Sequence, residues 1–357
     1  MMLLYSRIGF SEGFISNKFR FIEHQRQIMN KTQAVYTLIS SSKDVYLEEM
    51  WASIHSLRQH DPDREVRVVC DEPTANYVRN FPALCSLITE IIIVPVPDDF
   101  NEKLRSREIK TTIRRHIEGD YLYIDTDTII CTPLDHVDGL ECSVAAVKEF
   151  NMTLRENPYA ASVIRNVKNI FGTDISIDET FFNSGVMYVA DDKRAHCLYE
   201  NWHKNWRYSA LEKGNSQDQP ALLKSNHDMG NIIEELPGEF NCQPCMSVRH
   251  LHEANIVHYL HTYFPKDLSF SPFMDKSVYR QIKADGGISP ETAELIAHCR
   301  STYASPSCVV GWKQMYFMAS PAFEPLAQIN QDGGAASWLL QKMATWLWRL
   351  HRITKKR

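Results

Sequence analysis

No stretch of this 357-residue chain is apolar for long enough to span a bilayer, which excludes a transmembrane helix within it. Charge of one sign is not in excess either. The net charge is -5, with 23% charged residues, and that balance does not mark a nucleic-acid binder. The first residues, MMLLYSRIGFSEGF, interrupt a short apolar start with Arg7 and offer no small-residue cleavage site, which makes a poor signal peptide. Internal repeats and low-complexity tracts are missing. Cysteine is present nine times, an odd number, scattered through strand-like and helix-like stretches rather than framed by loops. That scatter predicts reduced, buried thiols in a cytosolic protein. Cys242 and Cys245 form a CxxC without a second half, read as a loop with two buried thiols, zinc being the alternative.

Hydrophobic residues make up 44% of the chain, enough for a sizeable core. Residues 1–33 carry no clear period and read either as an over-extended start or as a loosely held leader. From Ala34 the pattern alternates between strands and helices. AVYTLIS, EVRVVCD, EIIIVPVP and DYLYID read as strands, with VYLEEMWASIHSLRQH and SREIKTTIRRHIE as intervening helices. SVAAVK, GVMYVA and NIVHYL follow as later strands. A Trp-rich helix lies near Tyr199–Trp206, and SQDQPALLKSN reads as a helix start capped by Ser216. Such alternation predicts an α/β domain with a largely parallel sheet covered on both faces, binding ligands beyond the carboxyl ends of its strands. From about Ser271 the chain looks mainly helical, with breaks at Pro290, Pro306, Pro321 and Pro325. The organisation expected is a leader (1–33), an α/β domain (34–270), a helical extension (271–334) and a basic amphipathic helix (335–357). In that last helix Leu339, Met343, Trp346, Leu350 and Ile353 share one face, flanked by Leu340 and Leu347. Lys342, Arg349, Arg352 and Lys356 share the other, while Trp338 and Trp348 sit off the apolar side. The pattern suits a membrane surface or docking on a core.

GDYLYIDTDTIIC sets Asp125 and Asp127 at the end of an apolar strand, where charge needs compensation. A solvated acidic loop is the plainest explanation. A phosphohydrolase of the haloacid-dehalogenase kind is the second, because YLYIDTDTII fits its DxDxT signature and VMYVADD its later acidic motif. Against it, three strands precede the DxD where that fold opens on it. The third is transfer of a sugar from a nucleotide. A departing diphosphate needs a divalent cation, and paired carboxylates supply hard oxygen ligands for one. FFNSGVMYV brings Asn183 and Ser184 to a glycine where backbone can approach a sugar. QDQPALL brings Asp218 and Gln219 to a helix start. His258 sits inside an apolar strand, where a histidine is more often a satisfied core residue, but beside a DxD it is a candidate third ligand.

In that order the motifs resemble glycosyltransferase family 8, the glycogenins and the bacterial lipopolysaccharide galactosyl- and glucosyltransferases, over roughly Ala34 to Pro265. The resemblance implies a GT-A fold: a Rossmann-like mixed sheet flanked by helices, with a mainly helical C-terminal region. It implies a retaining, Mn²⁺- (or Mg²⁺-) dependent transferase that moves a hexose from a UDP-sugar to a hydroxyl of a glycan or glycolipid acceptor. Nucleic acid is not among the partners expected. The metal ligands would be Asp125, Asp127 and His258. Leu38, Ser40 and Tyr46 would hold the uridine, and Lys110 the nucleotide. Asn183, Ser184, Glu149, Asp218 and Gln219 would surround the donor sugar, the last two as catalytic residues. Asp218 would orient the sugar, and Gln219 would act near the anomeric carbon as nucleophile or, preferably, as a dipole. Location would be cytoplasmic, with peripheral contact on the inner membrane face through 335–357. The chain departs from the family after His258: His261 stands where glycine is usual, Lys266 is displaced, and no tryptophan follows. A sugar-nucleotide-binding protein without activity therefore stays open. A nucleotidyltransferase of the same fold would want a glycine-rich loop, and SSSKDVY has no glycine.

Overall fold

The computed structural model describes residues 32–245, 247–260, 271–300, 316–332 and 334–354. Compact units divide after Tyr303. In the first unit the elements run β1 (Gln33–Leu38), α1 (Tyr46–His60), β2 (Val66–Cys70), α2 (Glu72–Val78), α3 (Pro82–Cys85), β3 (Glu90–Ile93), α4 (Glu102–Thr112) and β4 (Tyr121–Ile124). They continue with β5 (Thr128–Ile130), β6 (Val144–Lys148), α5 (Ala160–Phe171), β7 (Phe182–Val189), α6 (Lys193–Arg207), α7 (Gln219–Asp228), β8 (Ile233–Glu235), β9 (Ile256–His258), α8 (Ser277–Asp285) and α9 (Pro290–Ala297). The second unit carries α10 (Phe323–Asp332) and α11 (Gly334–Thr354).

Seven strands form one sheet in the order β3-β2-β1-β4-β7-β6-β8. Both faces are covered, as the continuous apolar strands require. Ala34, Tyr36 and Leu38 of β1 point into a core shared with α1, while Val35 points to the opposite core, built from α4, α6 and α7. The sheet is largely parallel, as expected, with one strand reversed. Strand β7 runs antiparallel to both β4 and β6, so the sheet is mixed. NIVHYL does not join it: β9 leaves the main sheet and pairs antiparallel with β5, a short strand directly after Asp127.

Helix starts follow side-chain chemistry. Asp71 accepts the Thr74 amide at the start of α2, Asn101 the Leu104 amide at α4, and Asp192 the Ala195 amide at α6. The expected Ser216 cap is not formed. Asp218 takes the cap position, Pro220 lies in the first turn, and the Asp218 carboxylate is engaged elsewhere. Pro290 opens α9 rather than breaking a helix, since a proline in the first turn forfeits no intrahelical bond. Pro306 lies outside the described residues. Of the thiols, Cys70, Cys242 and Cys299 are buried, but Cys197 is exposed and the others described are half-buried, which corrects the expectation of uniformly buried cysteines. Cys242 is a backbone partner of β9: its amide donates to the Ile256 carbonyl and its carbonyl accepts from the His258 amide.

Candidate active site

The site grows from the junction of β4 and β7. Antiparallel pairing sets Ile124 opposite Val186, and the Asp125 amide donates to the Gly185 carbonyl at 2.7 Å. Asp127, one turn further, accepts the Tyr259 amide through its carbonyl at 2.8 Å. The β5–β9 ribbon pairs Thr128 with His258, which swings the imidazole back over the carboxylates. His258 Nε2 lies 3.0 Å from Asp127 Oδ1 and 3.9 Å from Asp125 Oδ2. One donor atom from each of Asp125, Asp127 and His258 falls within 4.8 Å of the others, the one such cluster found among the described residues.

Two features fit this trio to a divalent cation. His258 Nδ1 faces Asn241 Oδ1 at 3.0 Å, so the Nδ1 proton has an acceptor and Nε2 is left as the ligand atom. Gly185 leaves open the space between the ligands: a Cβ there would lie 2.3 Å from His258 Cε1 and 2.7 Å from Asp125 Oδ2. Two carboxylates and one imidazole are a donor set for a divalent cation. Without a cation, burial works to lower the pKa of His258, and the carboxylates of Asp127 and Asp125 outweigh it and raise it.

Beside the trio runs a second charged group. Lys110, on the last turn of α4, reaches both oxygens of Asp125 at 3.0 and 3.1 Å and stands 3.7 Å from Asp218. Arg107 lies one helical turn earlier and pairs through Nε with Asp218 Oδ1 at 2.9 Å. Ser184 Oγ donates to the other Asp218 oxygen at 2.8 Å. Burial disfavours the Asp218 carboxylate, yet Arg107 and Lys110 hold it down at about 2. Tyr123 completes the ring of donors, its hydroxyl bonded to Asp125.

A third layer is uncharged at its edges. Glu149 Oε2 accepts from Asn183 Nδ2 at 2.7 Å and from Gln219 Nε2 at 2.6 Å. Burial pushes its carboxyl up to about 7 against those two bonds. Asn183 Oδ1 in turn accepts from the Gly185 amide and from Asn241 Nδ2, both at 2.8 Å. One hydrogen-bonded network thus ties Gln219 and Glu149 to His258.

Of the residues named from sequence, Asp125, Asp127, His258, Lys110, Asn183, Ser184, Glu149, Asp218 and Gln219 meet in this network. Leu38, Ser40 and Tyr46 do not enter it; they stand at the C-terminal end of neighbouring β1. Leu38 is core, Ser40 Oγ donates to Asp44 at 2.6 Å, and the exposed Tyr46 ring has Lys276 Nζ 5.3 Å from its centre. His261 and Lys266 lie outside the described residues. Sequence reasoning missed Arg107, Asn241 and Tyr123. Arg107 had a signal, its helical spacing of one turn from Lys110. Asn241, beside the CxxC, had none.

No protein-family model and no curated protein matches the chain. Solved structures do. The chain is similar to the galactosyltransferase LgtC in complex with donor and acceptor sugar analogs, at 14% identity and a TM-score of 0.47, over 74% of this chain and 100% of that one. Mouse xyloside xylosyltransferase 1 in its apo form is similar at 12% identity and 0.44, over 66% and 99%. The glycosyltransferase GlyE of Streptococcus pneumoniae TIGR4 is similar at 15% identity and 0.47, over 78% and 66%.

Proposed function

We propose that the protein is a divalent-metal-dependent glycosyltransferase of the GT-A kind, moving a hexose from a UDP-sugar to an acceptor hydroxyl with retention of configuration. The observation that carries this is the trio of Asp125, Asp127 and His258, with its Nε2 presented by Asn241 and its centre kept open by Gly185. A bound Mn²⁺ or Mg²⁺ would supply positive charge to the departing diphosphate. Lys110 and Arg107 add fixed cations on the same side. Asp218 stays ionised between them and orients the donor sugar together with Ser184. Gln219 commits its amide nitrogen to Glu149 and to the Phe182 carbonyl. Its carbonyl oxygen is therefore turned the other way, the end that a positively charged sugar ring needs. This favours the dipole role over covalent attack, since an amide is a weak nucleophile. Leu38, Ser40 and Tyr46 hold the uridine at the neighbouring strand end.

The phosphohydrolase reading fails on topology. Because β7 is antiparallel to β4, Asp191 and Asp192 emerge at the opposite end of the sheet from Asp125, on the order of 20 Å away. Asp192 caps α6, and Asp191 accepts the Gly119 amide. Neither can join the DxD.

A peripheral membrane contact through α11 is part of the proposal. Among the described residues no helix is long and apolar enough to cross a membrane. Yet Trp338, Trp346 and Trp348 of α11 are 61%, 60% and 59% exposed, beside exposed Leu339, Met343 and Leu347. With Lys342, Arg349 and Arg352, that surface suits anionic lipid headgroups and thus a lipid-linked acceptor.

The test is UDP release from a panel of UDP-sugars with Mn²⁺ or EDTA, followed by assignment of the product anomer by NMR. Metal-dependent release from one donor with the anomer retained is expected. Donor binding without release refutes catalysis, and phosphate release from simple esters without UDP refutes the class. Deleting 335–357 should abolish sedimentation with anionic vesicles; unchanged sedimentation removes the membrane part.

A further inference from the structure

Away from the carboxylates, two thiols distant in sequence meet. Cys131 directly follows β5, Cys299 lies just past α9, and their sulfurs are 3.3 Å apart. Both line a cavity of about 220 Å³, together with Ile130, Ile296, His298 and Arg300. Cys131 is half-buried and Cys299 is buried, so a small reagent meets Cys131 first. We propose that Cys131 and Cys299 form a reversible dithiol–disulfide site that reacts with a hydroperoxide at Cys131 and is closed by Cys299.

The two thiols are not equivalent. A hydrogen bond from Cys299 and the nearby Arg300 guanidinium hold the Cys131 thiol below its usual range. Donation to Cys131 and burial push Cys299 well above. The thiolate is the reactive form, so Cys131 is the attacking group. Its sulfur takes the distal oxygen of the peroxide, the O–O bond breaks, and the leaving oxygen departs protonated as water or an alcohol. Cys131 is then a sulfenic acid. Cys299 sulfur attacks it, the S–O bond breaks, and hydroxide takes the Cys299 proton to leave as water. Two thiols lose two electrons and two protons, and the peroxide is reduced. The sulfurs need to close by roughly 1.2 Å to reach bonding distance.

What the bond would join matters. The Cys131 amide donates to the Asn255 carbonyl at 2.7 Å, in the ribbon that carries His258. The Tyr259 hydroxyl donates to the Cys299 carbonyl at 3.2 Å, while the Tyr259 amide holds Asp127. A disulfide would staple the β5–β9 ribbon to the segment following α9.

Full-length protein is treated with a few equivalents of hydrogen peroxide without denaturant, alkylated, digested and weighed. The expected product is a peptide pair joining Cys131 to Cys299, two fewer titratable thiols, and full reversal by dithiothreitol. In Cys299→Ser, dimedone should trap a sulfenic acid on Cys131; in Cys131→Ser, no bridge to Cys299 should form. The proposal is overturned if wild-type protein goes to sulfinic acid at Cys131 without bridging. A first bridge made by Cys242, Cys245 or Cys197, or a dimedone adduct missing from Cys299→Ser, overturns it equally. The wild-type digest decides the matter even if a variant folds poorly.

Discussion

Replacing Gly185 with alanine is the most discriminating single change, because it adds one methyl group where the fold has no room. The backbone at 185 cannot slide away. Its amide is bonded to Asn183 Oδ1 at 2.8 Å, and its carbonyl accepts the Asp125 amide at 2.7 Å. The new Cβ would stand 2.3 Å from His258 Cε1, 2.7 Å from Asp125 Oδ2 and 2.8 Å from Asn183 Oδ1. Ordinary carbon contacts lie near 3.5 Å, so the imidazole must retreat by about 1 Å. It is buried and held by Asn241 and Asp127, so the retreat breaks one of those bonds. Overpacking of this kind costs roughly 1–3 kcal/mol of stability. In an ordinary strand the same change would stabilise by about 0.5–1 kcal/mol, so even the sign is informative. Displacing one ligand should weaken Mn²⁺ about 10–100-fold. Calorimetric titration with Mn²⁺ reads the affinity, and circular dichroism melts read the stability. An alanine variant that binds Mn²⁺ like wild type, or melts higher, would refute the idea that Gly185 keeps a cation site open.

Other perturbations separate the roles in the network. Asn241→Leu should lower Mn²⁺ affinity about 10–100-fold by freeing the His258 ring, as calorimetric titration would read. In wild type, metal affinity should fall as pH drops through the raised pKa of His258, because protonation removes the ligand lone pair. Glu149→Gln should leave a pH signature in urea melts. The Glu149 pKa is raised to about 7, so its stabilising contribution is complete below the ordinary range near 4.5 and is lost as pH rises through 7. The variant should therefore gain on wild type by up to about 3 kcal/mol at pH 8, and an unchanged difference between pH 4 and pH 8 would contradict the burial argument. Asp218→Asn should remove stability that wild type keeps above pH 4 and loses as pH falls towards 2, since Arg107 and Lys110 would face a neutral amide. Asp192→Ala should cost about 1 kcal/mol as a lost helix cap while leaving UDP release unchanged, whereas a phosphatase would lose activity.

Local chemistry settled much of this protein in advance. Apolar runs of strand length, separated by amphipathic helices, dictate a covered α/β sheet. Asp125 at a strand end, Asn183–Ser184 before a glycine and Asp218–Gln219 at a helix start were legible because each depends on neighbours a few residues away. Even Arg107 could have been found, through its one-turn offset from Lys110. What only the folded chain decided rests on pairing between distant segments. Strand β7 could have run either way by its composition; its antiparallel course sends Asp191 and Asp192 away from Asp125 and brings Gly185 to it. His258 in NIVHYL had the pattern of any buried strand. Its place over the carboxylates comes from a ribbon with β5, 131 residues from Asp127, and its orientation from Asn241, whose bonding no local pattern encodes. The Cys131–Cys299 contact spans 168 residues for the same reason: side-chain proximity between remote segments is set by how helices and strands pack, not by spacing along the chain.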